Sequence, residues 1–108
     1  MMPTVEVLAS QAPREIFPGF HGRFVHSERM TFAYWDIESG SLVPEHSHMH
    51  EQVVNMLEGQ LELTVDGHTR ILDPGQVLII PPHAIHSGKA LTACKVLDVF
   101  SPVREDYR

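Results

Sequence analysis

The chain has a single cysteine, Cys94, among 108 residues, so no internal disulfide staples the fold, and a reducing compartment suits it. Basic residues are scarce. Lys and Arg total 8 against 14 Asp and Glu, a formal net charge of −6 with histidine neutral, and no stretch concentrates them. That balance argues against a platform for nucleic acid or for an anionic membrane surface. Long apolar runs are also missing: the longest aliphatic run is Val77, Leu78, Ile79, Ile80, far short of the roughly 20 residues that a membrane-crossing helix needs. The opening Met1-Met2-Pro3-Thr4-Val5-Glu6 has neither a basic n-region nor an apolar h-region, so no secretory leader is expected and the expected location is cytoplasmic. No stretch of about ten residues reads as a convincing amphipathic helix. Neither a repeat nor a Ser/Gly/Pro-rich linker divides the chain, and one domain over residues 1–108 is expected.

What the chain does have is apolar content, 43%, enough for a globular core. Short apolar or alternating segments end in Gly, Pro or Asp at a spacing of about ten residues, which is the rhythm of an all-β sandwich or barrel. In residues 60–65, Leu61, Leu63 and Val65 alternate with Gln60, Glu62 and Thr64, a strand with one buried face. Asp66-Gly67 follows, and a two-residue type I′ turn needs positive φ at both positions, so the pair predicts a hairpin into residues 68–72. After Asp73-Pro74-Gly75 comes a strand at 77–80, ended by Pro81-Pro82 because neither prolyl nitrogen can donate to a ladder. Further strands are expected at 5–8, 23–26, 30–38, 52–57 and 95–100. In the last of these, Val96, Asp98 and Phe100 face one way and Leu97 and Val99 the other, leaving no fully polar face. Both faces are then covered, and a homodimer is expected to supply the cover and to protect exposed strand edges.

Eight histidines are the conspicuous surplus. The segment from Pro44 to Gln52 puts His46, His48, His50 and Gln52 at every second position, where in a strand they share a face. Residues two apart lie about 6.6 Å apart in Cα, within reach of one ion, but residues six apart are about 20 Å apart. His46, His48 and Gln52 can therefore meet at one metal only if the chain bends near Met49 to Glu51. His86, behind Pro81-Pro82-His83, is a fourth candidate. Imidazoles with an amide oxygen suit one borderline divalent ion such as Ni, Fe, Mn or Zn. The plainer alternative is a loop of solvated histidines. His50 is open between a ligand, a base behind the ligands and a turn residue; His83 is assigned to the pocket mouth, and His21, His26 and His68 to the surface.

The wider spacing carries a resemblance. From Gly40, five residues lead to His46, one to His48, three to Gln52 and six to Gly59; from Gly75, five lead to Pro81, and two past His83 stands His86. This resembles the paired motifs of the cupin superfamily, G-x5-H-x-H-x3-E-x6-G and G-x5-P-x-G-x2-H-x3-N. The resemblance implies an all-β cupin-type double-stranded β-helix, or jelly-roll barrel, with a bound metal. Gln52 replaces the usual glutamate, His83 a glycine and Ala90 the last asparagine. A neutral Gln52 leaves the site one charge more positive and favours Lewis-acid polarisation of a bound oxygen. Glu51, the rival ligand, sits one residue too early.

The block His46-Ser47-His48-Met49-His50-Glu51-Gln52, together with the ending from Leu97-Asp98-Val99-Phe100-Ser101-Pro102-Val103-Arg104 through Glu105-Asp106-Tyr107, is similar to the KdgF family of small pectin-degradation cupins. That family converts 4,5-unsaturated monouronates to linear 4-deoxy-5-keto acids. The resemblance implies a metal on His46, His48, Gln52 and His86, with Asp98, Phe100 and Arg104 as the catalytic set and a small anionic sugar as the partner. A carboxyl beside a Lewis acid suits an enol ether that gains a proton at carbon and loses one at oxygen. Arg104 is the residue to grip a carboxylate through two parallel hydrogen bonds, and Phe100 to wall the ring. An internal Asp98–Arg104 ion pair and a purely core Phe100 are the competing readings. A metal-dependent dioxygenase and a non-catalytic sugar-binding module are the competing functions.

Overall fold

The computed structural model describes residues 2–108. Ten strands, β1 (Arg14–Phe17), β2 (Phe20–His26), β3 (Thr31–Ile37), β4 (Leu42–His46), β5 (Glu51–Glu58), β6 (Leu61–Val65), β7 (His68–Leu72), β8 (Val77–Ile80), β9 (His86–Ala90) and β10 (Cys94–Ser101), carry nearly all the regular structure, with short 3₁₀ turns at Leu8–Ser10 and Glu105–Tyr107. They form two antiparallel sheets, ordered β1-β2-β3-β10-β5-β8 and β4-β9-β6-β7, packed as a jelly roll. The period-2 alternation does the sorting. Along β3, Ala33, Trp35 and Ile37 point inward, along β5 Val54 and Met56, along β6 Leu61 and Leu63, and along β10 Val96 and Phe100. Each large apolar side chain withdrawn from water this way stabilises the sandwich by about 1.5–3 kcal/mol.

The expected hairpin is present: Asp66 and Gly67 have φ of 47° and 81°, and Val65 pairs with His68. Gly59 is required for two reasons. It turns β5 into β6 at φ 83°, and a Cβ there would stand 2.1 Å from the carbonyl oxygen of Ala93.

Residues 5–8 do not form the expected strand; Val5 and Val7 are exposed and Leu8 begins a 3₁₀ turn. A strand needs an unpaired edge to join. The backbone of β2 at Phe24 is already occupied by the Gln11 amide, whose Nε2 donates to Phe24 O (2.8 Å) and whose Oε1 accepts from Phe24 N (3.0 Å). Conversely β1, β4 and β9 were not expected. Their sequences are too polar to show a pattern, and Pro44 argues against β4, yet β4 is a sheet edge, where a missing donor costs little. Among the described residues no helix is long and apolar enough to cross a membrane.

Candidate functional site

The bend that the histidine spacing demands is there. β4 ends at His46, Met49 and His50 lie in a bend, and β5 resumes at Glu51. β9 pairs with β4 so that His46 and His86 are register partners, which joins the two distant motifs. The His46 and His86 ring centroids are 4.2 Å apart, His48 and His86 4.9 Å, and His46 and His48 5.7 Å. One ring nitrogen from each lies within 4.8 Å of the others.

The three rings are aimed alike. Each Nδ1 donates to a carbonyl two residues away: His46 to Pro44 O (2.9 Å), His48 to His50 O (3.0 Å) and His86 to Ala84 O (2.9 Å). Committing Nδ1 as the donor leaves Nε2 of each neutral ring as a lone pair, the arrangement by which backbone carbonyls orient metal-binding imidazoles. His86 Nε2 is buried and has no partner, and His48 Nε2 faces Gln52 Oε1 at 3.1 Å, one lone pair against another. A cation satisfies both. Burial lowers the pKa of His48 to about 4, with Arg104 adding to it, and burial lowers that of His86 as well, so these imidazoles are neutral and ready to ligate.

Beside the triad lie the residues of β10 and the C-terminal turn. Asp98 points inward from β10 and accepts the Trp35 indole N–H at Oδ2 (3.0 Å), while Oδ1 is buried without a partner. Burial pushes its carboxyl up to about 7; Gln52 stands near enough to favour the charged form, as do Trp35 and Arg104, but makes no hydrogen bond to it. Arg104 is held by its backbone N–H on Thr31 Oγ1 (2.8 Å) and by Nε on Asp106 (3.1 Å), and its guanidinium lies over the rings of Tyr107 (4.1 Å) and Phe100 (4.9 Å). Its carboxylate partner is thus Asp106 and not Asp98. Against partial burial, Arg104 holds the Asp106 carboxyl below its usual range. The two terminal nitrogens of Arg104 make no hydrogen bond among the described residues.

A cavity of about 60 Å³ takes His46, Gln52, His86, Asp98, Phe100 and Arg104 into its lining, with Trp35 and Tyr107. His48 joins them through the imidazole cluster and by an edge-on contact with Phe100 at 5.7 Å. His50 stays outside the cluster of ligand atoms, its ring 5.5 Å from that of His48 and its Nδ1 buried without a partner. Glu51 is exposed. His83 does not line the cavity; at φ 66° its backbone N–H donates to His48 O (2.8 Å) and braces the bend. His68 is exposed, His21 pairs outside with Glu38 (2.8 Å), and His26 is half-buried on Thr31 Oγ1 (2.8 Å). Trp35, Thr31 and Tyr107 are the site residues that the sequence reading did not single out.

A cupin domain family model matches residues 33–100. The pectin degradation protein KdgF of Dickeya dadantii (strain 3937) is 31% identical over 70 residues, 63% of this chain and 64% of that protein, so the match spans less than two thirds of that relative. Among solved structures, KdgF from Halomonas sp. superposes with a TM-score of 0.92 at 24% identity, covering 99% of this chain and 100% of that one. An RmlC-like cupin from Shewanella frigidimarina NCIMB 400 gives 0.91 at 25% identity, covering 99% and 97%.

Proposed function

The chain belongs to the cupin family, and from that premise we propose that it is a metal-dependent enzyme that opens 4,5-unsaturated monouronates to linear 4-deoxy-5-keto uronates. The observation that carries this reading is a single cavity lined by His46 and His86 of the imidazole cluster, a buried carboxyl with an unpaired oxygen and an arginine with a free terminal edge. The 31% identity with a pectin degradation protein supports the substrate class. His46, His48, Gln52 and His86 are the residues to hold one divalent ion, Ni, Fe, Mn or Zn, which supplies Lewis-acid polarisation of a substrate oxygen when bound.

The remaining work falls to the chain's own side chains. Opening the ring moves one proton from the anomeric hydroxyl to C4 and breaks the bond between C1 and the ring oxygen, which becomes the C5 ketone while C1 becomes an aldehyde; atoms balance without water or oxygen. Asp98 is suited to both halves. Oδ2 is committed as an acceptor from Trp35, so the proton rides on the free Oδ1, and a pKa near 7 lets the group give a proton to C4 and take one from the hydroxyl. Arg104 offers its two terminal nitrogens to the uronate carboxylate, a local cation in a chain of net charge −6. Phe100 walls the ring from a position that also belongs to the core, so its two readings are compatible.

The test is loss of the unsaturated uronate's absorbance with each metal supplied, alongside an oxygen electrode. Accelerated loss with no oxygen uptake is expected. A rate equal to the spontaneous one with every metal, or stoichiometric oxygen uptake, overturns the assignment.

A further inference from the structure

Tyr107 lines the same cavity as Asp98 and Arg104, and the chemistry above makes use of its ring alone, which lies 4.1 Å beneath the Arg104 guanidinium. Its hydroxyl has no task. The residue is 5% exposed, and its hydrogen bonds are those of its backbone: the N–H donates to Arg104 O (3.1 Å) and the carbonyl accepts from Arg14. Among the described residues nothing bonds the hydroxyl. A buried phenol ordinarily finds a partner, because leaving the group unpaired costs as much as a hydrogen bond contributes, or more. Unlike Asp98 Oδ1, the phenol oxygen is not sealed off in the packed interior, so it borders open space, and the open space that Tyr107 lines is the cavity.

The ring is not free to turn the hydroxyl elsewhere. Its centroid lies 5.0 Å from that of Phe24, 5.6 Å from Phe100 and 6.0 Å from Trp35, with the guanidinium on the remaining face. Arg14 on β1, stacked on Phe24 at 4.5 Å, fastens the carbonyls of Tyr107 and Arg108 to the barrel. Trp35 in turn holds Asp98, so phenol, carboxyl and guanidinium are fixed relative to one another. Burial pushes the Tyr107 pKa up to about 12; Arg104 pulls it down, and the Asp98 and Asp106 carboxylates push it up. At neutral pH the oxygen keeps its proton and is a donor.

We propose that the Tyr107 hydroxyl is a further substrate-binding group, donating a hydrogen bond to a ring hydroxyl of the uronate whose carboxylate Arg104 holds. A phenolic O–H lies in the plane of its ring, and the guanidinium stands 4.1 Å from that ring's centroid, so the hydroxyl points past the carboxylate toward the substituents of the sugar. Resting on the uronate reading above, this contact adds selectivity to it. The imidazoles and Arg104 answer to oxygen ligation and negative charge, which many small carboxylates supply, whereas a rigid neutral donor answers to a hydroxylated ring.

Tyr107→Phe removes the hydroxyl and keeps the ring, its stacking and the backbone that Arg14 holds. In the metal-loaded full chain, kcat/KM for the unsaturated uronate is expected to fall about tenfold, chiefly through KM. The urea midpoint of the free protein is expected to stay or to rise, since the variant no longer buries a hydroxyl without a partner. Tetrahydropyran-2-carboxylate, which keeps the carboxylate and the ring oxygen and lacks hydroxyls, is expected to inhibit both proteins equally. A kcat/KM within about twofold of the wild type overturns the proposal. So does a lowered urea midpoint accompanying the loss, which marks the hydroxyl as a packing group, or an equal loss of affinity for the hydroxyl-free acid, which puts the phenol on the carboxylate. If the wild type opens no uronate, the activity assignment falls by itself and calorimetry with a saturated hexuronate decides the hydroxyl: binding about tenfold weaker in the variant sustains it, and equal binding, or none by the wild type, overturns it.

Discussion

Replacing Asp98 by Asn separates what the carboxyl does for chemistry from what it costs the fold. The group is buried and its folded pKa is raised from 3.8 to about 7, chiefly by desolvation. A raised acid pKa carries no penalty below the unfolded value of 3.8; the penalty grows as pH climbs from there and levels off above about 7. At 1.36 kcal/mol per unit, burying the carboxyl costs the metal-free protein about 2 kcal/mol at pH 5, where the folded group stays protonated while the unfolded chain ionises, and about 4 kcal/mol at pH 8. Asparagine keeps an oxygen for the Trp35 N–H, has nearly the same volume and cannot ionise. In chelator, urea unfolding is expected to show the variant gaining on the wild type by about 2 kcal/mol more at pH 8 than at pH 5. His48, whose depressed pKa acts in the opposite direction, is present in both proteins and cancels. The same variant is expected to take up metal and to lose turnover. A stability difference independent of pH refutes the burial argument. Retained turnover refutes the role of Asp98 as the proton carrier.

The remaining predictions address the ligands, the anion grip and the backbone. His48→Ala and His86→Ala are each expected to abolish uptake of one metal per chain in elemental analysis, whereas His68→Ala leaves it intact. Metal-free protein carrying Asp98→Asn loses stability as pH falls from 6.5 toward 4, because His48 must stay neutral in the folded state while the unfolded chain protonates; urea midpoints across that window read the slope. Arg104→Ala is expected to raise KM for the uronate about 30-fold or more, the loss of about 2 kcal/mol or more for an unpaired buried carboxylate, and to affect an uncharged analogue far less. Gly59→Ala, which forces a Cβ against Ala93 O at positive φ, is expected to destabilise by more than about 1 kcal/mol in thermal unfolding.

The elements legible in the sequence are those whose physics is local. Residues 60–72 announce themselves because alternation and the Asp-Gly turn both depend on neighbours in the chain, and β6, β7 and their I′ turn match that reading. β9 carries His86 of the candidate metal site, yet His86-Ser87-Gly88-Lys89-Ala90 has no period to detect; it is a strand because β4 and β6 flank it on both sides. Residues 5–8 err the other way, with apolar content but no free edge to join.

The site divides along the same line. His46, His48 and Gln52 fall within one short segment, and the condition that brings them together, a bend at Met49 and His50, follows from strand geometry alone. Linking His86 to them needed a motif, since only sheet register makes it the partner of His46. Trp35 escaped both routes. Its register partner on β10 is Val96, and its indole reaches along the core to Asp98, a diagonal contact that neither spacing nor alternation encodes. Yet Trp35 determines which oxygen of Asp98 is free, and so which atom can hold the proton. Tyr107 is similar. It is carried inward by the turn after β10, whose end is tied down by Arg14 through the carbonyls of Tyr107 and Arg108, and its ring supports the Arg104 guanidinium from below. Candidate ligands are readable from short spacings because a shared ion would constrain them all at once. The groups packed around those candidates answer only to the packing of the finished barrel.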